Sequence, residues 1–204
     1  MPDPTDQTWE AAAAVLDAAP ICHVAFLERG LPRVLPAVHS RVGTTLYLHG
    51  SPASSVFRAA ASGAPLSINA VVLDGVVMAH SACHSGLNYR SVLLSGTGRE
   101  VDDPGEVEQA LWAITERITP GGWERGRLPQ PQELATTAVA AVAISDFSVR
   151  ARSGPSKEDE ADQALAGWSG VVPLRLQAGP AQADPWVPPG TPVPPVFGGS
   201  PPSV

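Results

Sequence analysis

The sequence predicts a mainly β, α+β fold, an antiparallel meander with flanking helices. Three observations carry that prediction. Apolar runs follow one another across short turns, which favours antiparallel pairing over βαβ units. Gly and Pro punctuate those runs. Neither G-x-G-x-x-G nor G-x-x-x-x-G-K-[ST] occurs, so nothing supports a dinucleotide-binding or P-loop α/β domain. With 204 residues, 44% of them hydrophobic, the chain suits one cored domain over residues 1–176.

The elements follow in order. Asp6 to Ala19 reads as a helix whose alanine run carries Trp9, Val15 and Leu16 on one stripe; Pro20 stops it. Ile21 to Glu28 is a strand, Glu28-Arg-Gly30 a turn, and Leu31 to Val42 the partner strand. Pro32 and Pro36 cannot donate to a ladder, so that partner should carry an edge or a bulge. Leu46 to His49 is the next strand. Gly50-Ser-Pro-Ala-Ser-Ser55 is a loop leading into a short helix, Val56 to Ala61. Pro65 to Val72, Gly75 to Ala79 and the long run Leu87 to Val101 are strands. Asp102-Asp-Pro104 caps a helix reaching about Ile118, and another short helix begins near Pro131. Ala138 to Val149 returns to strand, and Val171 to Leu176 adds a last one. Beyond residue 176 the prolines crowd together, a composition that cannot pack a core, so residues 177–204 are expected to form a disordered tail.

Composition excludes several functions. A net charge of −7 argues against nucleic acid, whose phosphates need a basic surface. No apolar run approaches the roughly 20 residues that cross a bilayer. The acidic start Met1-Pro-Asp-Pro-Thr-Asp6 lacks the basic front of a signal peptide. Two cysteines, Cys22 and Cys83, fit a reducing compartment, so a cytoplasmic protein is expected.

Three constellations bear on chemistry. The loop from Gly50 through Ser51, Ser54 and Ser55 resembles an anion cradle, with Arg33 as the nearby cation; the alternative is that a serine merely caps the helix. The strand opening Asn88-Tyr89-Arg90-Ser91 puts four hydrogen-bonding side chains before an apolar run, suited to a flat, polar-edged ligand; the alternative is a barrel strand with a polar rim. His49 ends a strand just before the loop, placed to donate a proton, ligate a metal centre or serve as a structural histidine. His80-x-x-Cys83-His84 and Cys22-His23 offer ligand types without zinc spacing, so no metal site is expected. No activated nucleophile stands out.

At these residues the chain resembles the split β-barrel flavoproteins related to pyridoxamine 5′-phosphate oxidase, in the branch holding the nitroimidazole-resistance reductases. The matching pieces are Arg33-Val-Leu-Pro36, Leu46-Tyr-Leu-His-Gly50, Leu87-Asn-Tyr-Arg-Ser-Val92 with Ser95-Gly-Thr-Gly98, Thr137 to Ile144, and Trp168-Ser-Gly-Val-Val-Pro-Leu174. They cover about residues 6–176. The resemblance implies an FMN-binding split β-barrel and a homodimer with FMN at the interface. It implies that Arg33 and the Ser54–Ser55 region hold the phosphate, and that the backbone of Pro36, Ala37 and Val38 lines the ring. Asn88, Tyr89, Arg90 and Ser91 would reach the flavin or its substrate, with His49 close by as the catalytic residue. The implied activity passes electrons from a nicotinamide donor through FMN to a small organic acceptor. Two further readings stay open: a flavin- or haem-binding protein without turnover, with His49, His80 or His84 as axial ligand, and a reductase using the deazaflavin cofactor F420. One departure matters. Related chains often carry Arg or Lys just after the loop serine, where this one has Ser55 and Val56, leaving Arg58 as the cation that would have to compensate.

Overall fold

The computed structural model describes residues 7–197; the N-terminal acidic stretch through Asp6 and the end of the tail, 198–204, lie outside the described residues. Eight strands form one sheet. They are β1 (Cys22–Glu28), β2 (Leu31–Ala37), β3 (His39–Val42), β4 (Thr45–Gly50), β5 (Pro65–Met78), β6 (Gly86–Glu100), β7 (Ala138–Arg152) and β8 (Gly170–Pro173). The strand order is β2-β1-β5-β6-β7-β4-β3, with β8 paired to β5. The β1–β2, β3–β4, β4–β7 and β5–β8 pairs are antiparallel. Among the described residues six α-helices accompany them, with a short 3-10 helix at Ala82–His84: α1 (Trp9–Ala18), α2 (Ser55–Ala61), α3 (Pro104–Ile118), α4 (Gly122–Arg125), α5 (Pro131–Thr136) and α6 (Glu160–Gln163). Among the described residues no helix is long and apolar enough to cross a membrane.

The chain divides into two compact units, and β5, β6 and β7 contribute residues to each. The first comprises the chain up to Ala19, Asn69–Leu94 and Asp146–Leu176. Here Thr8 caps α1 through its hydroxyl, which accepts from the Ala11 N–H at 3.3 Å. The buried residues of α1, Ala11 to Ala13 with Val15 and Leu16, are small where the chain approaches closely and branched where it fills space. Gln7 clamps β7 by donating to the Val149 carbonyl (2.8 Å) and accepting from the Val149 N–H (3.0 Å). Trp9 meets the Phe147 ring edge-on at 5.7 Å.

The second unit comprises Pro20–Ile68, Ser95–Ser145 and the chain from Gln177 onward. Side chains on β4 alternate. Leu46 and Leu48 are buried on one face, while Tyr47 joins Val101, Ala110, Ile114, Val139 and Ala141 in a cluster under α3. Asp103 caps α3 by accepting from the Glu106 N–H at 2.9 Å, and Pro104 occupies its first turn, where no N–H is needed. Two glycines of β6 are fixed by close approach. A Cβ on Gly98 would lie 2.8 Å from the Ala60 Cα and collide with the Ala60 carbonyl; one on Gly96 would collide with the Ala143 carbonyl. Gly98 thereby lets α2 lie directly on β6.

The sequence reading differs from this architecture in three places. Leu31 to Val42 is two strands broken at Val38, β2 at one end of the strand order and β3 at the other; Pro32 and Pro36 both lie in β2, an edge strand as expected. Pro65 to Val72 and Gly75 to Ala79 form one strand, because Gly75 admits β8 instead of breaking the run: a Cβ there would sit 3.0 Å from the Val172 carbonyl oxygen. Helices α4 and α6, of four residues each, are too short for periodicity to reveal. Residues 177–197 form no helix or strand, and the Phe197 N–H donates to the Ile118 carbonyl at 2.9 Å.

Candidate functional site

The β1–β2 hairpin turns on Arg29 and Gly30, whose φ values of 53° and 79° are the paired left-handed conformations of a tight two-residue hairpin turn. Glu28 pairs with Leu31 and Phe26 with Arg33, so Glu28 and Arg33 fall on the same face of the ladder as diagonal neighbours. Arg33 Nε stands 3.4 Å from Glu28 Oε2. The other oxygen of that carboxylate is 3.6 Å from Arg58 Nη2. Arg58, one turn into α2, also donates to the Ala53 carbonyl of the preceding loop. Strand, helix and loop thus meet at one carboxylate flanked by two guanidiniums, with a formal charge of +1. Both arginine side chains are more than half exposed, at 53% and 59%, and open to an incoming anion.

The loop itself is tied by the Ser54 N–H to the Ser51 carbonyl (2.9 Å) and by the Ala53 N–H to the Ser51 hydroxyl (3.2 Å). Ser54 occupies the N-cap position of α2, yet its hydroxyl makes no capping hydrogen bond. The capping alternative therefore does not account for it. Arg33 also lines a cleft of about 460 Å3 together with Phe26, Pro32, Ser95, Gly96 and Thr97. Pro36 is exposed, Ala37 and Val38 are half-buried, and Val38 packs against the Tyr47 cluster. Gly50 ends β4 opposite Ala138.

His49 shares its face of β4 with Tyr47 and borders a cleft of about 570 Å3 with Leu111, Thr115, Trp123 and Leu134. Partial withdrawal of its ring from water pushes its pKa below the usual 6.5, although the residue as a whole stays exposed. It is therefore a neutral imidazole near pH 7, able to give or take a proton.

Asn88, Tyr89, Arg90 and Ser91 belong to the first unit, and strand alternation divides them between two faces of β6. Asn88, buried, donates to the Gly154 carbonyl at 3.0 Å, and its Oδ1 is buried without a partner. Arg90 holds Asp74 in a two-pronged pair at 2.9 and 2.8 Å, which raises the arginine pKa further. Tyr89 and Ser91, half-buried, make no side-chain hydrogen bond among the described residues.

The histidine loop lies in the same unit. His80 Nδ1 is 3.2 Å from both Glu158 oxygens, and the His80 backbone N–H donates to Glu158; these contacts hold the carboxyl pKa below its ordinary value. His84 Nδ1 is buried without a hydrogen bond. His84 lines a cavity of about 440 Å3 with Cys83, Arg152, Ser153, Pro155 and Lys157. Neither Arg152 nor Lys157 has an acidic partner among the described residues. Arg152 can lie over the start of β6 because residue 86 is glycine; a Cβ there would be 2.5 Å from its Nη1. Cys22 is buried, which pushes its thiol up to about 12 and leaves it inert. Both cysteines are free. Glu28 and the Arg152–Lys157 pair are the residues that sequence reasoning missed. The hairpin turn at Arg29-Gly30 carried a signal for the first; nothing local marked the second.

Residues 8–151 match the family model described as pyridoxamine 5′-phosphate oxidase. Among solved structures, the chain is 36% identical to the flavocytochrome Anf3 from Azotobacter vinelandii, with a TM-score of 0.82 over 93% of this chain and 88% of that one. It is 37% identical to an FAD- and haem-binding protein from Mycobacterium smegmatis, with a TM-score of 0.87 over 95% of each chain. A candidate 5-nitroimidazole antibiotic resistance protein from Bacteroides thetaiotaomicron shares the fold at 16% identity and a TM-score of 0.57, covering 71% of this chain and 84% of that one. No curated protein matches the chain.

Proposed function

Because the chain belongs to the pyridoxamine 5′-phosphate oxidase family, we propose that it is an oxidoreductase holding both a flavin and a haem, with FAD in preference to FMN. The observation that carries this reading is its 36–37% identity, over 93% and 95% of its length, with a flavocytochrome and with an FAD- and haem-binding protein. The residues present fit both groups. Two exposed guanidiniums around Glu28 suit a flavin phosphate, and Arg58 supplies the cation that the loop itself lacks. On the haem side, His84 offers a buried, unpartnered ring nitrogen in a cavity whose two uncommitted cations suit carboxylates.

The chemistry these cofactors supply when bound is hydride acceptance from a nicotinamide donor and one-electron delivery to a small acceptor. The chain does the rest. Arg33 and Arg58 neutralise phosphate, and the Ser51–Ser54 turn holds the backbone that borders it. Pro36 to Val38 provide an exposed-to-half-buried edge against which a ring can lie. His49, neutral near pH 7, exchanges a proton with a ligand in the cleft it borders. β2 is exposed along almost its whole length, with Leu31 at 59% and Val34 at 60%. A second copy covering β2 would make the expected homodimer, while Pro32 and Pro36 discourage edge-to-edge strand addition. The free, unpaired cysteines suit a reducing cytoplasm.

The test is the absorption spectrum of the purified protein beside that of His84→Ala. The proposal expects flavin and Soret bands in the wild type, with the Soret band lost and flavin retained in the variant. A wild type with neither band would refute it; a variant that keeps its Soret band would remove His84 from the assignment.

A further inference from the structure

The cleft beneath α3 has a chemistry of its own. Its volume is about 590 Å3, inside the roughly 300–1,000 Å3 common for small-molecule sites. Val107 and Leu111 of α3, Leu134 of α5, Leu128 and the Trp123 indole supply an apolar wall. Leu128 and Leu134 remain 58% and 39% exposed, so this wall is not consumed by the protein's own packing. Every charged side chain lining the cleft is an acid: Glu100, Asp102 and Glu108. Asp102 feels the Arg99 charge, but Arg99 is engaged by Glu106 at 2.5 Å. Glu100 and Glu108 have no cationic partner among the described residues.

An adjoining cleft of about 570 Å3 adds no compensating charge. It shares Leu111, Trp123 and Leu134 with the main cleft and is bordered by His49, Arg127 and Glu133. Arg127 and Glu133 neutralise each other at 2.6 Å. An anionic ligand would therefore meet three like charges, and a neutral one would leave them unanswered. A cation gains from the carboxylates.

We propose that the α3 cleft binds an amphipathic organic cation, its aromatic or aliphatic body against Leu111, Leu128, Leu134 and Trp123 and its ammonium group toward Glu100 and Glu108. The site is distinct from the Arg33–Arg58 anion site and from the His84 cavity, and it does not depend on which cofactors the protein carries.

Calorimetry and tryptophan emission on the full chain test this with three probes of one shape: 3-phenylpropylamine, 3-phenylpropan-1-ol and 3-phenylpropanoate. The amine should bind about five- to tenfold more tightly than the alcohol, the order expected of two exposed carboxylates, and the propanoate should not bind. Added salt should erode the difference. In the Glu100→Gln, Glu108→Gln double variant, whose altered side chains are solvent-exposed, amine affinity should fall to that of the alcohol. Leu134→Trp, which fills the cleft, should abolish both. No amine binding at millimolar concentration, propanoate binding as tight as amine binding, or an amine affinity unchanged in the double variant would each overturn the proposal. Flavin and haem absorbance of the same preparations separates this outcome from the cofactor assignment. A colourless protein that still prefers the amine supports the cleft and sinks only the flavin reading.

Discussion

Replacing Arg33 with Ala should weaken FAD binding about fivefold, and the structure fixes both the sign and the size. Arg33 and Arg58 lie 3.4 and 3.6 Å from the two oxygens of Glu28, so the site carries one net positive charge. Removing Arg33 leaves a neutral pair. At such distances one unit charge interacts with another by about 1 kcal/mol in a water-like dielectric. That is the appropriate limit here because both side chains are more than half exposed. About 1 kcal/mol corresponds to roughly fivefold in affinity. Arg58→Ala should cost about as much. Glu28→Gln, which removes the competing carboxylate, should tighten FAD binding by a similar factor. Flavin fluorescence titration of the stripped protein measures all three, with riboflavin as the control because it lacks phosphate. The reasoning fails if the ratio of FAD to riboflavin affinity is unchanged in Arg33→Ala, or if Glu28→Gln weakens FAD.

Three other expectations follow from local features. Gly98→Ala should destabilise the protein by about 1–3 kcal/mol, the usual cost of forcing a methyl into packed backbone, read as a lower urea midpoint; flavin retention should fall with it, since α2 must move off β6. Iodoacetamide at pH 8 should label exposed Cys83 and spare Cys22, whose thiol burial pushes up to about 12; labelling of Cys22 in folded protein would contradict its burial. The Glu133 carboxyl, held down to about 2 by Arg127 and the Gln130 N–H, is ionised in the folded chain well below its ordinary 4.5. Its contribution is therefore full above pH 4.5 and lost as pH falls toward about 2. Corrected for the intrinsic pH dependence of amide exchange, protection of the N–H groups over residues 132–136 should fall across that window in the wild type and stay constant there in Glu133→Gln.

Most of the fold was legible because its signals were local. Pro20 ends α1, Asp103-Pro104 opens α3, and the apolar run from Val92 stays in one strand. The misreading at Gly75 came from treating glycine as a breaker, when its missing Cβ serves a partner strand nearly a hundred residues away. For the candidate site, Arg33 and the serine loop could be read directly. That Arg58 stands beside Glu28 could not, since it depends on α2 lying close enough to the hairpin. The four polar residues from Asn88 were read as one presenting edge; the period-2 alternation of a strand splits them. Arg152 and Lys157 meet His84 only through tertiary structure, and the proposed preference for FAD and haem over FMN rests on the relatives, because no residue pattern in the chain distinguishes two flavins that share a phosphate.

The central claim is that one chain carries two redox groups. Acid release of the cofactors from protein purified from cells, with mass spectrometry and quantitation against chain concentration, measures it directly. FAD and haem are expected, each approaching one per chain. FMN alone, or a flavin with no haem under haem-replete growth, would contradict it.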